Sequence, residues 1–111
     1  MIAAPSSGAG KTTVTLALIA ALRAAGHEVA SAKAGPDYID PAFHAAASGR
    51  ECVNLDPFAM RPALIGKLAA GQRRGADLFV TEAMMGLFDG AADGTGSAAD
   101  LATMVGAQIV L

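Results

Sequence analysis

The chain has 111 residues, a length that allows one compact domain with a hydrophobic core and is too short for two domains of ordinary size. Hydrophobic residues make up 53% of the sequence and charged residues 16%, a composition that excludes a disordered polar chain. The formal net charge of -2 argues against a nucleic acid or an anionic membrane as a partner, because neither would be attracted to an acidic surface.

Short apolar runs alternate with helix-length segments, which is typical of βαβ units around a parallel sheet. Met1 to Ala4 predicts the end of a first strand. Lys11 to Ala25 predicts a helix that is apolar on nearly every side and closed by Gly26, so we expect it to be buried beside the sheet. Glu28 to Lys33 predicts a second strand.

Two Asp-Pro pairs follow, Asp40-Pro41 and Asp56-Pro57. Each predicts a helix start in which the aspartate is the N-cap and the proline occupies the first helical position. Pro62 to Arg73 carries its apolar residues on one face and predicts an outer helix, and Leu78 to Glu82 predicts a third strand.

The segment from Met84 to Gly96 contains four glycines and shows no periodicity, so we expect a loop long enough to have a function. Ser97 predicts an N-cap for a helix from Ala98 to Val105, and Gln108 to Leu111 predicts the beginning of a fourth strand. The predicted fold class is α/β, a doubly wound and mainly parallel sheet with flanking helices. Because no helix follows the last strand, we expect the chain to be an incomplete fragment of a longer protein.

A glycine-rich run, Ala-Pro-Ser-Ser-Gly-Ala-Gly-Lys-Thr-Thr from Ala4 to Thr13, lies between the first strand and the first helix. Such a P-loop directs successive backbone N–H groups, and the positive end of the helix dipole, at a phosphate. We expect Lys11 to reach the β and γ phosphates of ATP and the Thr12 hydroxyl to bind Mg²⁺. Pro5 replaces the usual first glycine of the motif. The predicted nucleotide contacts are Ser7, Gly8, Ala9, Gly10, Lys11, Thr12 and Thr13.

Charged residues follow the next two predicted strands. Lys33 and Glu82 end them, and Asp37 comes four residues after Lys33. Because ligands of doubly wound sheets bind beyond the carboxyl ends of the strands, we expect these side chains at the phosphate site. The predicted Mg²⁺ ligands are Thr12, Asp37 and Glu82, since hard Mg²⁺ prefers oxygen. Asp40 is favoured as a helix cap over a ligand.

Other reactive residue types have weaker contexts. Asp89 is either a substrate contact or a solvated turn residue, and His44 is not favoured as a general base. Cys52 is the only cysteine, so it cannot form an internal disulfide and the expected compartment is the cytoplasm. Val14 to Leu22, the most apolar stretch, is shorter than the roughly 20 residues that a membrane span needs.

Four segments together resemble a known family: Ala4 to Thr13, Gly35 to His44, Val53 to Asp56 and Met85 to Gly90. They are similar to the N-terminal domain of cobyrinate or hydrogenobyrinate a,c-diamide synthases. The resemblance covers essentially the whole chain, and the Gly-Pro-Asp-Tyr-Ile-Asp-Pro block is its most specific part. It implies a P-loop NTPase-type fold related to that of dethiobiotin synthetase. One departure is Ala83, where the family commonly has glycine after the glutamate.

The resemblance implies an amidoligase of cobalamin biosynthesis. ATP would phosphorylate the c and then the a acetate carboxylate of the corrinoid, and ammonia would displace the phosphate. The ammonia would come from glutamine through a C-terminal glutaminase domain, which we expect to be absent from these 111 residues. Cys52 does not lie in the context of that domain's nucleophile.

The resemblance also implies roles for individual residues. Lys11, Lys33, Asp37 and Glu82 would be catalytic, with Lys33 neutralising charge on the γ phosphate. The pocket for the macrocycle or the acyl phosphate would be shaped by Tyr38, Ile39 and Asp89.

Two alternatives remain open. The first is another ligase, such as cobyric acid synthase, dethiobiotin synthetase or a diamide synthase acting on a nickel tetrapyrrole. The second is a partition or septum-placement ATPase, although the signature lysine of that class falls on Ser6 here. Because the core is rich in alanine, we also expect that the chain could depend on self-association, for example as a homodimer.

Overall fold

The computed structural model describes all 111 residues and confirms the α/β class. Seven regular elements alternate along the chain. The helices are α1 (Lys11–Ala24), α2 (Asp40–Ser48), α3 (Pro62–Arg73) and α4 (Ala98–Val105). The strands are β1 (Val29–Ala34), β2 (Cys52–Leu55) and β3 (Leu78–Glu82).

The three strands form a parallel sheet in the order β2-β1-β3. Lys33 is aligned with Asn54 on one side and with Glu82 on the other, so these residues share one end and one face of the sheet. The predicted first and fourth strands are reduced to isolated parallel bridges, in which Ile2 pairs with both Glu82 and Val110. The P-loop therefore starts from the edge of the sheet next to β3.

Strand β2 is a correction to the predicted elements. Its sequence, Cys-Val-Asn-Leu, is too short and too mixed to show a clear alternation. Strand β2 lies between α2 and α3 in the chain and pairs in parallel with β1, so the two helices are the connections of two successive βαβ units.

The core is divided between the two faces of the sheet. The larger cluster lies against α3 and α4 and includes Leu55, Ile65 and Leu101; seven of its 13 buried members are alanine, so little area is buried for each residue. A smaller cluster of Ile2, Ile19, Val29 and Val80 lies against α1.

The prediction that α1 is buried beside the sheet holds for only one side of the helix. Only Lys11, Thr15 and Ile19 are buried along this helix, and Val14 is 57% exposed. Only one face of the helix contacts the sheet. That face carries residues spaced three or four apart along the sequence, so the remaining side chains stay outside the contact. The end of the helix is as predicted, because Gly26 has φ of +94° and follows the last turn.

The two Asp-Pro predictions also need correction. Helix α2 has Ile39 as its N-cap, and the capping acceptor is Asp37, whose Oδ1 accepts hydrogen bonds from the backbone N–H groups of Ile39 and Asp40 at 2.8 and 2.9 Å. Asp56 accepts from the N–H groups of Phe58 and Ala59, but it closes a turn and no helix begins there.

Helix α3 instead starts at Pro62, with Arg61 as its N-cap. The prediction for α4 is confirmed, since the Ser97 hydroxyl accepts a hydrogen bond from the Asp100 N–H and Gly106 ends the helix in a left-handed conformation. None of the helices is long and apolar enough to cross a lipid bilayer.

Candidate functional site

The P-loop turns tightly between the edge of the sheet and α1. Gly8 and Gly10 have φ of +73° and +88°, a conformation that side-chain-bearing residues seldom adopt. Helix α1 has no side-chain cap and no acidic residue in its first turn. Its first N–H groups are therefore available to an anion, as the predicted phosphate site requires.

Lys11, the first residue of α1, lies folded under the loop. Its side-chain Nζ donates a hydrogen bond to the Ser6 carbonyl oxygen at 3.0 Å, and the residue is only 9% exposed. The hydrogen bond therefore holds the ammonium group against the backbone of the P-loop, where it is expected to contact phosphate.

Glu82, at the end of β3, is the centre of the site and is completely buried. Its Oε1 accepts hydrogen bonds from Thr12 Oγ1 at 2.5 Å and from Lys33 Nζ at 2.7 Å, and its Oε2 lies 2.7 Å from His44 Nε2. Burial alone would raise the pKa of this carboxyl, but the hydrogen bonds from His44, Lys33 and Thr12 outweigh it and lower the pKa. Glu82 is therefore ionised, and its hydrogen bonds fix its orientation.

Lys33 links Glu82 to the start of α2. Its Nζ lies 2.6 Å from Asp40 Oδ2 and 3.8 Å from Asp37 Oδ2. Burial by itself would lower the pKa of Lys33, but the hydrogen bonds to Asp40 and Glu82 raise it, so the amine stays charged.

Asp40 belongs to the site, contrary to its favoured assignment as a helix cap. Its Oδ2 lies 3.3 Å from Thr12 Oγ1 as well as 2.6 Å from Lys33 Nζ. Asp37 supplies the oxygen that caps the start of α2, and its carboxyl has a pKa below the usual range because two backbone N–H groups outweigh the effect of burial. Both aspartates line the polar cavity, and the assignment of Asp37 to Mg²⁺ stays a prediction.

His44 belongs to the site, although its sequence context did not favour a functional role. It is fully buried, and its imidazole contacts Glu82 from the side opposite Lys33 and Thr12. Burial would lower the pKa of His44, but the interactions with the Cys52 sulfur and with the Glu82 carboxylate raise it to about 9. The spacing could have revealed this position, because His44 lies four residues after Asp40 and therefore on the same face of α2.

Most of the predicted residues meet in one polar cavity of about 410 Å³. Tyr38 and Ile39 do not line it and are 95% and 67% exposed. Asp89 lies instead in a neighbouring apolar cavity, and Ala9 lies on the other side of the P-loop. The predicted residues that line the polar cavity are Ser7, Gly8, Gly10, Lys11, Thr12, Thr13, Lys33, Asp37 and Glu82.

The donor set fits Mg²⁺ bound together with a nucleotide. Thr12 Oγ1, Glu82 Oε1 and Asp40 Oδ2 converge, and all three are oxygen ligands of the kind that Mg²⁺ prefers. No group of three or more His, Cys, Asp or Glu side chains could hold a metal ion by itself.

A glycine-rich turn before a helix, a buried lysine followed by a threonine, and a carboxylate at the end of a parallel strand together define a P-loop nucleotide-binding protein. Comparison with protein-family models supports nucleotide binding and also identifies the family. The chain belongs to the family described as the CobQ/CobB/MinD/ParA nucleotide binding domain, whose model matches residues 1–108.

Three curated relatives carry the same name, hydrogenobyrinate a,c-diamide synthase. Those of Rhizobium meliloti and Brucella anthropi are each 62% identical to this chain, over 111 and 112 residues, and that of Mesorhizobium japonicum is 54% identical over 114 residues. Each match covers 100% of this chain and 26% of the relative. The chain therefore spans about a quarter of the length of these relatives.

Proposed function

We propose that this chain is the ATP-binding part of an amidoligase that converts the a and c acetate carboxylates of cobyrinic or hydrogenobyrinic acid to amides in cobalamin biosynthesis. The observation that carries the proposal is the 62% identity to hydrogenobyrinate a,c-diamide synthases along the entire chain. The site supports it, because a P-loop faces a buried Lys33–Glu82 pair at the same end of the sheet.

In such a reaction ATP supplies the γ-phosphoryl group: a carboxylate oxygen bonds to the γ phosphorus while its bond to the bridging oxygen of ADP breaks. Ammonia then attacks the acyl carbon, inorganic phosphate leaves, and the nitrogen loses a proton to give the amide. The transferred group is heavily charged, so catalysis is mainly positioning and electrostatic stabilisation.

The residues of the polar cavity have matching roles in this proposal. The N–H groups of the P-loop and Lys11 hold the phosphates. Thr12, Asp37 and Glu82 are the Mg²⁺ ligands, and Asp40 is a further carboxylate beside Thr12 that can take part in the same site. Lys33 carries the positive charge that offsets the repulsion between the acceptor carboxylate and the γ phosphate.

The partners belong to the proposal as well. The substrate is the corrinoid, and its contacts in this proposal include Tyr38, Ile39 and Asp89. The ammonia derives from glutamine through a domain outside these residues. Tyr38 and Ile39 are exposed enough to contact a large ligand. The lack of a disulfide partner for Cys52 supports a cytoplasmic setting, and a homodimer would cover apolar surface that the thin core leaves exposed.

The nucleotide site is tested by isothermal titration of ATP into the purified chain, with and without Mg²⁺. We expect saturable binding that Mg²⁺ strengthens, and a loss of at least about tenfold in affinity in Lys11→Ala, since one charged phosphate contact is removed. Lys67→Ala is the matched control, because Lys67 is an exposed lysine on α3. Equal affinity in both variants would count against the P-loop assignment.

The amidation is tested with a graft in which these 111 residues replace the matching segment of the Rhizobium meliloti relative. With ATP, Mg²⁺, glutamine and hydrogenobyrinic acid, mass spectrometry should show a loss of about one mass unit for each carboxyl converted to an amide. A graft that folds and hydrolyses ATP without amide formation would refute the proposed function. ATP-dependent dimerisation of the chain, without any amidation, would favour the partition-type ATPase instead.

A further inference from the structure

A second cavity, of about 510 Å³, adjoins the polar cavity and has no role so far. Met84 and Met85 line both cavities and form the partition between them. The floor of the second cavity consists of residues at the carboxyl ends of β1 and β2, including Ala34 and Asp56. It therefore lies on the edge of the sheet at which α/β proteins bind ligands.

The walls of this cavity are apolar and closely fitted. Phe58 is 76% exposed and Met85 is 44% exposed, although both are large apolar side chains. A Cβ atom at Gly96 would lie 2.7 Å from Phe58 Cδ2, and one at Gly35 would lie 2.4 Å from Met84 Sδ. Neither glycine could carry a side chain without displacing the wall. An exposed aromatic and thioether surface of this kind is typical of a binding site.

The second cavity has only acidic residues among its charged lining. These are Asp56 and Asp89, whereas the polar cavity is lined by two lysines, Lys11 and Lys33, as well as by Asp37, Asp40 and Glu82. Each aspartate has one oxygen engaged by the backbone: Asp89 Oδ2 accepts from the Gly86 N–H at 2.8 Å, and Asp56 Oδ1 accepts from the Phe58 N–H at 2.9 Å. Such a cavity attracts neutral hydrogen-bond donors and repels anions.

We propose that the second cavity binds the apolar outer part of the acceptor's macrocycle and that its two aspartates exclude the acceptor's other carboxylates. This inference rests on the proposed function. An acceptor with several acidic arms can then bind only with one arm directed past Met84 and Met85 toward Lys33, and with the others in solvent. Binding in this orientation selects a single carboxylate for phosphorylation among chemically similar ones.

The same charge arrangement discriminates between the acid and its product. A carboxamide is neutral and donates hydrogen bonds, so it can lie beside Asp89, where a carboxylate cannot. The monoamide formed in the first amidation is thus accepted in the cavity, and the enzyme can present the second carboxylate to the phosphate site.

The location is tested by NMR on the 111-residue chain labelled with ¹³C at its methionine methyl groups. On addition of hydrogenobyrinic acid with Mg²⁺ and ADP present, we expect shifts of the Met84 and Met85 methyls and none of Met104, which lies on α4. Phe58→Ala should raise the apparent Kd about tenfold. Phe43→Ala, another exposed phenylalanine outside the cavity, should leave the Kd unchanged. Absence of Met84 and Met85 shifts at millimolar acid overturns the location.

The charge selection is tested in the grafted enzyme with Asp89→Asn, which keeps an oxygen to accept from the Gly86 N–H. The unaltered graft should show a lower KM for the monoamide than for the diacid, and Asp89→Asn should reduce that ratio severalfold with the KM for ATP unchanged. An unchanged ratio overturns the role of Asp89. Methyl shifts without any amide formation by the unaltered graft would refute the proposed function and leave the cavity assignment standing.

Discussion

Glu82 is the residue on which the site depends. It has no exposure to solvent, yet it carries a negative charge that a hydroxyl, an ammonium and an imidazole surround. An isolated buried carboxylate would be strongly unfavourable. The three partners therefore keep Glu82 ionised and also fix its position. The site is therefore organised before any ligand binds, which lowers the cost of arranging it around Mg²⁺ and phosphate.

Glu82→Gln should abolish the increase in ATP affinity that Mg²⁺ confers, because an amide oxygen is a much weaker ligand for Mg²⁺ than a carboxylate. Binding of ATP without Mg²⁺ should change by less than about threefold, since the N–H groups of the P-loop are untouched. Isothermal titration with and without Mg²⁺ measures both quantities. Glu51→Gln, at an exposed position, is the matched control. If Glu82→Gln kept the full Mg²⁺ effect, Glu82 would not be a ligand.

His44 should make the stability of the chain depend on pH in the alkaline range. The pKa of His44 is about 9 in the folded chain and near 6.5 when unfolded, so its contribution is fully present below pH 6.5 and is lost as the pH rises through 9. The expected loss is on the order of 3 kcal/mol in the free energy of unfolding. Urea denaturation at pH 6 to 10 measures it.

The matched variant for this pH effect is His44→Gln, which should remove most of the slope. Where that variant fails to fold, an NMR titration of the imidazole gives the pKa directly, with assignment through His27→Gln, since His27 is the exposed histidine of the chain. An imidazole that titrates near pH 6.5 would contradict the prediction.

At the scale of elements, the ends of β1 and β3 are held together through a glycine. The chain leaves β1 at Gly35 with φ of +79°, and Met84, which follows β3, packs against the space where a Cβ would be. Helix α2 begins five residues later and brings Asp40 and His44 to the site. The geometry of the polar cavity thus depends on a turn that only glycine adopts without strain.

Gly35→Ala should destabilise the chain by about 1 kcal/mol or more, because alanine is strained in the left-handed conformation and the flexible end of Met84 must also move away from the new Cβ. Gly66→Ala is the matched control, because Gly66 is exposed within α3 and an added Cβ meets no atom there. That variant should gain about 0.5 to 1 kcal/mol from helix propensity. Thermal or urea denaturation measures both, and a neutral Gly35→Ala would show that the turn relaxes.

At the scale of the whole molecule, stability rests on few large side chains. Leu55, Ile65 and Leu101 are fully buried in a cluster whose other members are mostly alanine. Small side chains let α3 and α4 approach the sheet closely, but they contribute little buried area. A chain of this size is marginally stable. The free energy lost by creating one cavity in the core is therefore a large fraction of its total free energy of unfolding.

Leu101→Ala should reduce the free energy of unfolding by about 3 kcal/mol, whereas Leu64→Ala, at a position 44% exposed on α3, should cost less than about 1 kcal/mol. Mg²⁺ and ATP at a hundred times their Kd should restore about 2.7 kcal/mol in either variant, because the ligand binds only the folded chain. Denaturant titrations with and without nucleotide measure these effects. No stabilisation by nucleotide would mean that the folded chain has no nucleotide site.

Much of the fold and the centre of the site could be predicted from the sequence. The glycine run, the strand-ending Lys33 and the strand-ending Glu82 are local signals, and parallel strands necessarily bring their carboxyl ends to one edge. The alternation of apolar strands with helical segments predicted the α/β class for the same reason. The contacts of Asp40 with Thr12 and Lys33 could not be predicted, because a shift of one residue at the helix start decides which carboxylate caps the helix.

The sequence by itself therefore determined the phosphate-binding turn, the class of fold and the pair of opposite charges at the end of the sheet, since each follows from residue type and order. Only the tertiary structure decided that Asp40 and His44 complete the site and that Tyr38 and Ile39 lie outside its cavities. The reason is that His44 and Glu82 are 38 positions apart along the chain and meet only because α2 packs on the sheet. That packing converts a buried glutamate into the centre of a charged network.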